Sequence, residues 1–556
     1  MSHLLTLHDP SVARENYLSG IWQTDTLYSL AKGHAAERGS AHAVRDAHRR
    51  LTWASLVGWV DAVAADLAAA GLRSGDRVCI WLPNRLESVV ILLACSRNGY
   101  VCNPSLHQNY TVAEITALLE RIECRALFAQ PGYGADAKTA DVFAAAGRIP
   151  HIKRAYALPA LNADELPLPS GASAFPTARA GGARGPAAST HSDKIVYLAF
   201  TSGTTGTPKG VMHSDNTLLA NGRAMVADWG HTAKTVLLTL SPMSHHIGTV
   251  ALEQILVCGG ELAMHDATAG VSAIDWLQET GATYVMGVPT HAIDILAEVD
   301  RRGLKQLGAV KVFYMAGAPI PTEIARRLLA LGATPQNVYG MTENGSHQYT
   351  KPADPVEVIT STCGKACSGY EVRLWNQDNP DVEVAPGEVG EIGGRGGVLM
   401  LGYFNNQSAT ENSFNAGGWF LSGDLGKFDD KGNLSIVGRK KDLIIRGGHN
   451  IYPAHIEEYA HRHPAVGKAA AFGVADERLG EKVCLAVICE GETPAPDEIL
   501  QHLAKEGLSK FDMPEFFAVV TEFPLTASGK ILKRELMQWV ASGRLKPQPV
   551  RYKAAA

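Results

Sequence analysis

A loop of hydroxyl and glycine residues with a single lysine, at 201–210, is the part of the chain best suited to chemistry. Glycine permits positive φ and lets the backbone approach a ligand closely. Backbone N–H groups, hydroxyls and one ammonium can together surround a polyphosphate such as that of ATP. An apolar run at 195–200 precedes the loop and predicts a buried strand that positions it. The residues that would contact the phosphates are Thr201, Ser202, Gly203, Thr204, Thr205 and Lys209.

This loop is not a Walker A motif. That motif ends in Gly-Lys-Ser/Thr, whereas here Pro208 precedes Lys209 and Gly210 follows it. By itself a Gly/Ser/Thr loop is most often a surface turn. The ligand-binding interpretation therefore depends on what lies further along the chain.

Further segments with acidic, aromatic and basic residues follow in a fixed order. Residues 338–343 read Val-Tyr-Gly-Met-Thr-Glu and offer a flat ring, a hydroxyl and a carboxylate. Carboxylate and phosphate oxygens are the ligands that Mg²⁺ prefers. Residues 419–424 (Trp-Phe-Leu-Ser-Gly-Asp) end in a carboxylate that can accept two hydroxyl hydrogens. A basic segment at 438–442 and the run Pro-Leu-Thr-Ala-Ser-Gly-Lys at 524–530 complete the set.

Together these motifs resemble the signature set of the adenylate-forming superfamily, which holds acyl-CoA synthetases, peptide-synthetase adenylation domains and luciferases. The resemblance spans roughly residues 30–540. It implies an ATP- and Mg²⁺-dependent acid–thiol ligase that forms an acyl-adenylate and then passes the acyl group to CoA. The implied cofactors and substrates are ATP, Mg²⁺, CoA and a small carboxylic acid.

The resemblance also implies roles for individual residues. Thr342 would contact the α-phosphate, and Glu343 would hold Mg²⁺. Asn337 would hydrogen-bond the adenine amino group, and Tyr339 would lie along the ring. The remaining implied contacts are with the adenine (Gly317, Ala318, Pro319), the ribose (Asp424, Arg439), the CoA thiol arm (Gly447, Gly448) and the reacting acid (Lys530, with His245 ahead of the acyl pocket).

The resemblance and the residue pattern predict the same organisation. Helical spacing at 53–71, a strand at 77–82 and a helix at 86–98 indicate βαβ units on a parallel sheet. We expect an α/β fold, with a large N-terminal domain of α/β subdomains plus a β-rich subdomain at 1–438. A hinge at 439–441, centred on Lys441, would join it to a small mobile α+β C-terminal domain at 442–556 that carries Lys530.

Composition narrows the class of protein. The 51 basic and 56 acidic residues give a formal charge of −5, which argues against nucleic acid as a partner. Nine scattered cysteines favour a reduced compartment. No signal peptide and no membrane-spanning run are evident. We expect a cytoplasmic monomer or homodimer.

The identity of the acid is predicted from candidate pocket residues, which include Met243, Ile247, Phe313, Met315 and Met341. None of these carries a charge that could pair a second carboxylate or an amino group, so a neutral apolar monocarboxylate is expected. The sequence around these motifs resembles that of ligases for alicyclic, aryl or short- and medium-chain acids. A carrier-protein-loading enzyme and a luciferase-like oxygenase remain alternatives.

Replacing Lys530 with alanine is expected to separate the two half-reactions. Lys530 would offset the repulsion between the attacking carboxylate and the α-phosphate, so acyl-adenylate formation should slow by about 10²–10³-fold. Transfer from pre-formed acyl-adenylate to CoA should change much less, because Lys530 would then have rotated away. Pyrophosphate exchange and single-turnover thioester formation measure the two steps. An equal loss in both would contradict the assignment.

Overall fold

The computed structural model describes residues 5–161, 167–177, 185–201, 208–266, 270–318, 320–525 and 531–552. The chain divides into two compact units. The first consists of Met1–Glu371 and Arg395–Ser413, and the second of Val372–Gly394 and Phe414–Ala556.

The helices alternate with strands over most of the chain. The α-helices are α1 (Pro10–Leu18), α2 (Leu27–Arg38), α3 (Trp53–Ala69), α4 (Leu86–Asn98), α5 (Val112–Arg121), α6 (Val142–Ala146), α7 (Asp215–Trp229), α8 (His246–Cys258), α9 (Ala273–Thr280), α10 (Pro289–Arg302), α11 (Thr322–Ala330), α12 (Val356–Ser361), α13 (Gln407–Glu411), α14 (Pro453–His461), α15 (Pro496–Lys505) and α16 (Lys533–Ala541).

The strands of the first unit are β1 (His42–Arg45), β2 (Arg50–Thr52), β3 (Arg77–Trp81), β4 (Val101–Asn103), β5 (Cys124–Ala129), β6 (Arg154–Ala157), β7 (Ala172–Ala174), β8 (Ile195–Thr201), β9 (Lys209–Ser214), β10 (Val236–Thr239), β11 (Glu261–Met264), β12 (Tyr284–Gly287), β13 (Val312–Met315), β14 (Thr334–Met341), β15 (Gly345–Tyr349) and β16 (Lys365–Ala366). The later strands are β17 (Tyr370–Trp375), β18 (Gly390–Gly396), β19 (Phe420–Phe428), β20 (Leu434–Arg439), β21 (Ile444–Arg446), β22 (His449–Ile451), β23 (Val466–Asp476), β24 (Gly480–Cys489), β25 (Phe516–Val519) and β26 (Gln548–Pro549).

Two sheets form the first unit. In the described part of the chain one has the order β16-β15-β14-β13-β12-β10-β11-β1-β2, and the other has the order β7-β6-β5-β3-β4-β8-β9. The central pairs are parallel in both, and the antiparallel pairs lie toward the edges. Parallel sheets are buried on both faces, which explains why β3 and β8 are almost entirely apolar and buried.

Helices α7 and α8 lie between these sheets. Helix α7 packs on β8 and β9 of one sheet and on β15 of the other, and α8 packs on α7 and on β10, β11, β12 and β15. A Cβ added at Gly222 of α7 would come within 3.0 Å of the Glu253 backbone carbonyl carbon on α8. The missing side chain therefore lets the two helices approach closely.

The second unit has two antiparallel or mixed sheets. Strands β17-β18-β19-β20 form one, and β22-β21-β24-β25-β26, with β23 paired to β24, form the other. The second sheet has its own apolar core, which includes Ile444, Ile451, Ile456, Leu485 and Leu503. Helices α14 and α16 pack on β23 of this sheet.

These features confirm the expected fold class. Helices α3 and α4 and strand β3 lie where the residue spacing predicts them, and β8 occupies the apolar run ahead of the phosphate loop. Two pocket predictions fare differently. Phe313 and Met315 pack into a core cluster with Leu296 of α10 and Leu328 of α11. This packing gives no support to their lining an acyl pocket next to α8.

A buried ion cluster fixes the start of α4. Glu87 is bound by Arg49, with N···O distances of 2.7 and 2.8 Å, and by Arg85, with two distances of 2.9 Å. Burial raises the pKa of Glu87, but the hydrogen bonds from the two arginines outweigh it and lower the pKa to about 2. Glu87 is thus a charged carboxylate that ties α4 to the turn between β1 and β2.

We expect Glu87→Gln to lower the melting temperature strongly at pH 7, since it leaves Arg85 buried without its counter-charge, at a cost of about 3–5 kcal/mol. The folded pKa lies below the usual 4.5. The stabilisation is therefore fully present above pH 4.5 and is lost as the pH falls toward 2. The gap in melting temperature between the two proteins should shrink over that range. The control Glu298→Gln, whose carboxylate also meets two arginines but near the surface, should change the melting temperature little, because surface ion pairs contribute weakly to stability. Equal effects would contradict the argument.

Candidate active site

Lys209, Tyr403 and Glu343 form the centre of the candidate site in the first unit. The Lys209 ammonium lies 4.7 Å from the centroid of the Tyr403 ring. The Tyr403 hydroxyl donates a 2.9 Å hydrogen bond to Oε1 of Glu343. Burial, followed by the nearby Glu343 charge, raises the pKa of Tyr403, so its hydroxyl remains a donor. One aromatic side chain therefore positions both the predicted metal ligand and the lysine of the phosphate loop.

Thr342 is held through its backbone by His213 of β9. Nε2 of His213 lies 2.7 Å from the Thr342 carbonyl oxygen, and Nδ1 lies 3.0 Å from the Thr217 hydroxyl. A carbonyl only accepts, so Nε2 carries the proton and Nδ1 is the acceptor. Burial lowers the pKa of His213 to about 4, so this neutral tautomer persists at neutral pH.

A second histidine stacks on the first. The His246 and His213 ring centroids are 5.6 Å apart with an interplanar angle of 13°. Nδ1 of His246 lies 3.2 Å from the Tyr197 hydroxyl on β8. Burial, and then the neighbouring His213 and His245, lower the pKa of His246 well below its usual value. Strand β8, helix α8 and the Thr342 carbonyl are thereby joined by neutral rings.

His245 is the residue before α8 and caps it. Its Nδ1 accepts a hydrogen bond from the Ile247 amide at 3.3 Å. A helix leaves its first amides unsatisfied, and the cap supplies one acceptor. This gives His245 a structural task, while its catalytic role stays a prediction.

Asn337 presents a buried acceptor. Its Nδ2 donates to the Ile359 carbonyl at 2.6 Å, and its Oδ1 has no hydrogen-bond partner among the described residues. An adenine amino group is a donor, so the free oxygen fits the role predicted for Asn337. Tyr339, two residues on, packs edge-on against His347 with a centroid distance of 5.4 Å. Gly317 has φ +89° and Ala318 is exposed, at the end of the neighbouring strand β13.

The hairpin that carries Thr342 and Glu343 is unusually tight. A Cβ at Gly340 would lie 1.8 Å from the Gly345 carbonyl oxygen, which only glycine avoids. Gly345 itself has φ +58°. The backbone of β14 and β15 therefore fixes the direction of the carboxylate of Glu343.

In the second unit Asp424 and Arg439 face each other. They are register partners on β19 and β20, and Nε of Arg439 lies 3.2 Å from Oδ1 of Asp424. Asp424 is buried and Arg439 is half-buried. Next to them, Lys440 binds Glu391 at 3.0 Å and the Gln377 carbonyl at 2.6 Å. A carboxylate has enough lone pairs to contact a guanidinium and also accept ribose hydroxyls.

The predicted hinge and thiol-arm residues lie on exposed turns. Lys441 is exposed, in the short 3₁₀ helix Lys440–Asp442. Gly447 and Gly448 form the two-residue turn of the β21–β22 hairpin, with φ of +58° and +84°. Two consecutive positive φ values are typical of a type I′ turn.

Several predicted residues lie outside the described part of the chain, namely Ser202, Gly203, Thr204, Thr205, Pro319 and Lys530. Thr201 ends β8, where it is the register partner of Lys209. Within the first unit the structure thus brings together Thr201, Lys209, Thr342, Glu343 and the start of α8.

Sequence reasoning missed Tyr403 and His213. Tyr403 follows a glycine at the end of a β-rich, glycine-punctuated segment that gives no sign of a ligand site. His213 is a polar residue inside a buried strand. Because buried polar groups need a hydrogen-bond partner, this pattern could have indicated that His213 binds another element.

A cavity of about 190 Å³ lies at the carboxyl ends of β3 and β5, lined by Trp81, Gln130, Tyr133, Asp141 and Phe143 among others. None of the predicted site residues lines it.

Among the described residues, no helix is long and apolar enough to cross a membrane.

Comparisons with known proteins identify the family of the chain. The AMP-binding enzyme family model matches residues 32–404, and the model of the AMP-binding enzyme C-terminal domain matches 455–530. A medium-chain fatty-acid–CoA ligase of Escherichia coli is 29% identical over 92% of this chain and 90% of its own length. Human ACSF2, a mitochondrial medium-chain acyl-CoA ligase, is 30% identical over 88% of this chain and 83% of its own length.

A solved structure gives the same result for the fold. ATP-bound MatB from Rhodopseudomonas palustris superposes with a TM-score of 0.81 at 28% identity, over 93% of this chain and 99% of MatB. The chain belongs to the AMP-binding enzyme family, the adenylate-forming superfamily that includes the acyl-CoA synthetases.

Proposed function

We propose that this protein joins an apolar monocarboxylic acid to CoA at the expense of ATP, through an acyl-adenylate. The observation that carries the proposal is the arrangement of Lys209 and Glu343 on the two parts of the Tyr403 side chain, beside Thr342. A cation and a carboxylate held apart in this way suit a bound polyphosphate and its counter-ion. The enzyme is an AMP-forming acid–thiol ligase, as are the relatives in the family.

Each described residue has a defined task in the first half-reaction. The Asn337 oxygen accepts from the adenine amino group, and Lys209 neutralises phosphate charge. Thr342, oriented by His213, contacts the α-phosphate where the acid's carboxylate attacks and pyrophosphate leaves. In the second half-reaction the CoA thiol attacks the acyl carbon, and AMP leaves.

The residues present also fit Mg²⁺. Glu343 is a nearly buried carboxylate, 8% exposed, and among the described residues no group of three or more His, Cys, Asp or Glu side chains could hold a metal. Mg²⁺ is usually bound by one or two carboxylates together with substrate phosphates. A bound Mg²⁺ would neutralise charge on the phosphates. Glu343 would orient it, and Tyr403 would orient Glu343.

The second unit carries further residues with proposed roles. We propose that Asp424 accepts both ribose hydroxyls and that Arg439 contacts the ribose or a phosphate. Lys441 would be the hinge for the domain 442–556, which brings either Lys530 or the turn Gly447–Gly448 to the reacting groups. The exposed position of Lys441 and of the glycine turn supports movement there.

The proposed acid is alicyclic, aryl or of short to medium chain length. Support comes from the apolar side chains at the start of α8, where Met243 and Ile247 are 3% and 6% exposed, and from the names of the curated relatives. His245 closes the polar side of this region. We further propose a cytoplasmic enzyme, which is consistent with nine cysteines that are all free, acting as a monomer or homodimer.

An acid panel tests the proposed reaction. Cyclohexanecarboxylate, benzoate and octanoate should show higher kcat/KM than an amino acid or a dicarboxylate of similar size, because burying an unpaired charge costs several kcal/mol. Neighbouring chain lengths should differ little, since one methylene is worth about 0.8 kcal/mol. The measurement is CoA-dependent AMP release. A clear preference for a dicarboxylate would contradict the substrate class, and AMP release without any need for CoA would point to another acceptor.

Replacing Tyr403 with phenylalanine should weaken the use of ATP and Mg²⁺. The change removes the hydrogen bond to Glu343 but keeps the ring beneath Lys209, and a hydrogen bond to a charged group is worth about 1.5–3 kcal/mol. We expect kcat/KM for ATP to fall about tenfold or more and the half-saturating Mg²⁺ concentration to rise. Tyr28→Phe is the matched control, because it removes a 2.7 Å hydrogen bond to Asp61 elsewhere. Unchanged Mg²⁺ dependence in Tyr403→Phe would show that the Tyr403–Glu343 contact is not part of the ATP site.

A further inference from the structure

A cluster of polar side chains is buried between α8 and the nine-stranded sheet. Glu253 and Gln254 come from α8, Tyr284 from β12, Tyr314 from β13 and Gln336 from β14. Each is at most 1% exposed. We call these five residues the polar cluster.

Hydrogen bonds connect parts of the cluster to each other and to its surroundings. The Tyr284 hydroxyl donates to Oε1 of Gln336 at 2.7 Å. The Tyr314 hydroxyl lies 2.7 Å from the Ser346 hydroxyl. Nε2 of Gln254 donates to Sδ of Met286 at 3.2 Å and to the Val250 carbonyl at 3.3 Å.

Four polar atoms of the cluster have no hydrogen-bond partner in the described part of the chain. They are both carboxyl oxygens of Glu253, Oε1 of Gln254 and Nε2 of Gln336. Exchanging the oxygen and nitrogen of the Gln336 amide leaves one atom unpartnered all the same. An unsatisfied buried polar atom costs about 1–3 kcal/mol. Such a concentration calls for a partner from outside the protein, either water or a ligand.

The cluster lies about 10 Å along β13 and along α8 from residues that are predicted to contact the substrates. Tyr314 is on the strand that leads to Ala316 and Gly317, three residues or about 10 Å away along an extended chain. Glu253 is seven residues beyond His246 on α8, which is also about 10 Å. An acid whose carboxylate lies beside Thr342, and whose remainder follows α8 along the nine-stranded sheet, would end at the cluster.

The donor and acceptor properties of the four atoms indicate which chemical group of a ligand they can bind. Burial alone raises the pKa of Glu253 well above its usual value, which favours the neutral carboxyl. It then offers one O–H donor and one acceptor, Gln254 adds an acceptor, and Gln336 adds a donor. A hydroxyl group, which donates once and accepts twice, matches this set. A carboxylate or an ammonium would be buried without an ionised partner.

We propose that the polar cluster is the far end of the acyl site and binds a hydroxyl group carried by the substrate acid. The inference rests on the proposed function and makes it more specific. The substrate has an apolar ring or medium-length chain with its carboxylate at one end and a hydroxyl at the other. The hydroxyl donates to Oε1 of Gln254 and accepts from Nε2 of Gln336 or from the Glu253 carboxyl.

The test compares matched acids on the full-length enzyme. The pairs are 4-hydroxybenzoate with benzoate, 4-hydroxycyclohexanecarboxylate with cyclohexanecarboxylate, and 8-hydroxyoctanoate with octanoate. In at least one pair, kcat/KM should favour the hydroxy acid by about tenfold or more. An acid without the hydroxyl leaves buried polar groups unpaired. Glu253→Leu and Gln254→Met should each reduce that preference at least tenfold, mainly through KM for the hydroxy acid. Glu253→Gln should retain part of it.

Controls separate the possible failures. Thr280→Val replaces a buried hydroxyl that bonds only within its own helix α9, and it should leave the preference unchanged. Melting temperatures identify variants that fail to fold, and Gln254→Met keeps the test available if Glu253→Leu does not fold. Turnover of the unsubstituted acids with no hydroxy preference in any pair would overturn the inference and leave the polar cluster as a site for buried water. Absence of CoA-dependent AMP release with every acid would overturn the proposed function and the inference with it.

Discussion

The site depends on the single side chain of Tyr403, which contacts both the predicted metal ligand and the lysine of the phosphate loop. Its hydroxyl donates to the carboxylate of Glu343. Its ring face attracts the ammonium of Lys209. The rest of the first unit supports this arrangement. Strand β9 delivers Lys209, the β14–β15 hairpin delivers Glu343, and the segment after β18 delivers Tyr403.

The layer between the two sheets explains how these elements stay in register. Helices α7 and α8 are covered on both sides, so polar groups on them must find partners inside the protein. His246 of α8 does so with the Tyr197 hydroxyl, and His213 of β9, which stacks on His246, binds the Thr342 carbonyl. Because both rings are neutral at physiological pH, the contacts do not change with modest changes of pH. The polar cluster further along α8 belongs to the same layer, and four of its polar atoms have no hydrogen-bond partner among the described residues.

The sequence predicts the elements well and the contacts between elements poorly. Apolar spacing predicts α3, α4, β3 and β8, since burial in a parallel sheet leaves a local signal. The roles of Glu343 and Thr342 come from the resemblance of their segment to a family motif, and they stay predictions. Tyr403 and His213 were not found, because their roles come from elements about 60 and 130 residues apart. The family resemblance implies a pocket position for Phe313, but alternation along β13 turns Phe313 to the opposite face from Tyr314, and a resemblance between segments does not show which face a side chain occupies.

The close approach of Gly340 to Gly345 has a consequence for how such an enzyme can diversify. No side chain fits at position 340, so the hairpin that carries Thr342 and Glu343 has almost no freedom to vary from within. New specificities must then arise from outside it, on α8 and on the facing strands, where a substitution alters what the acid meets without moving the carboxylate. A fixed β14–β15 hairpin with variable residues around it allows the reaction to be retained while the accepted acid changes.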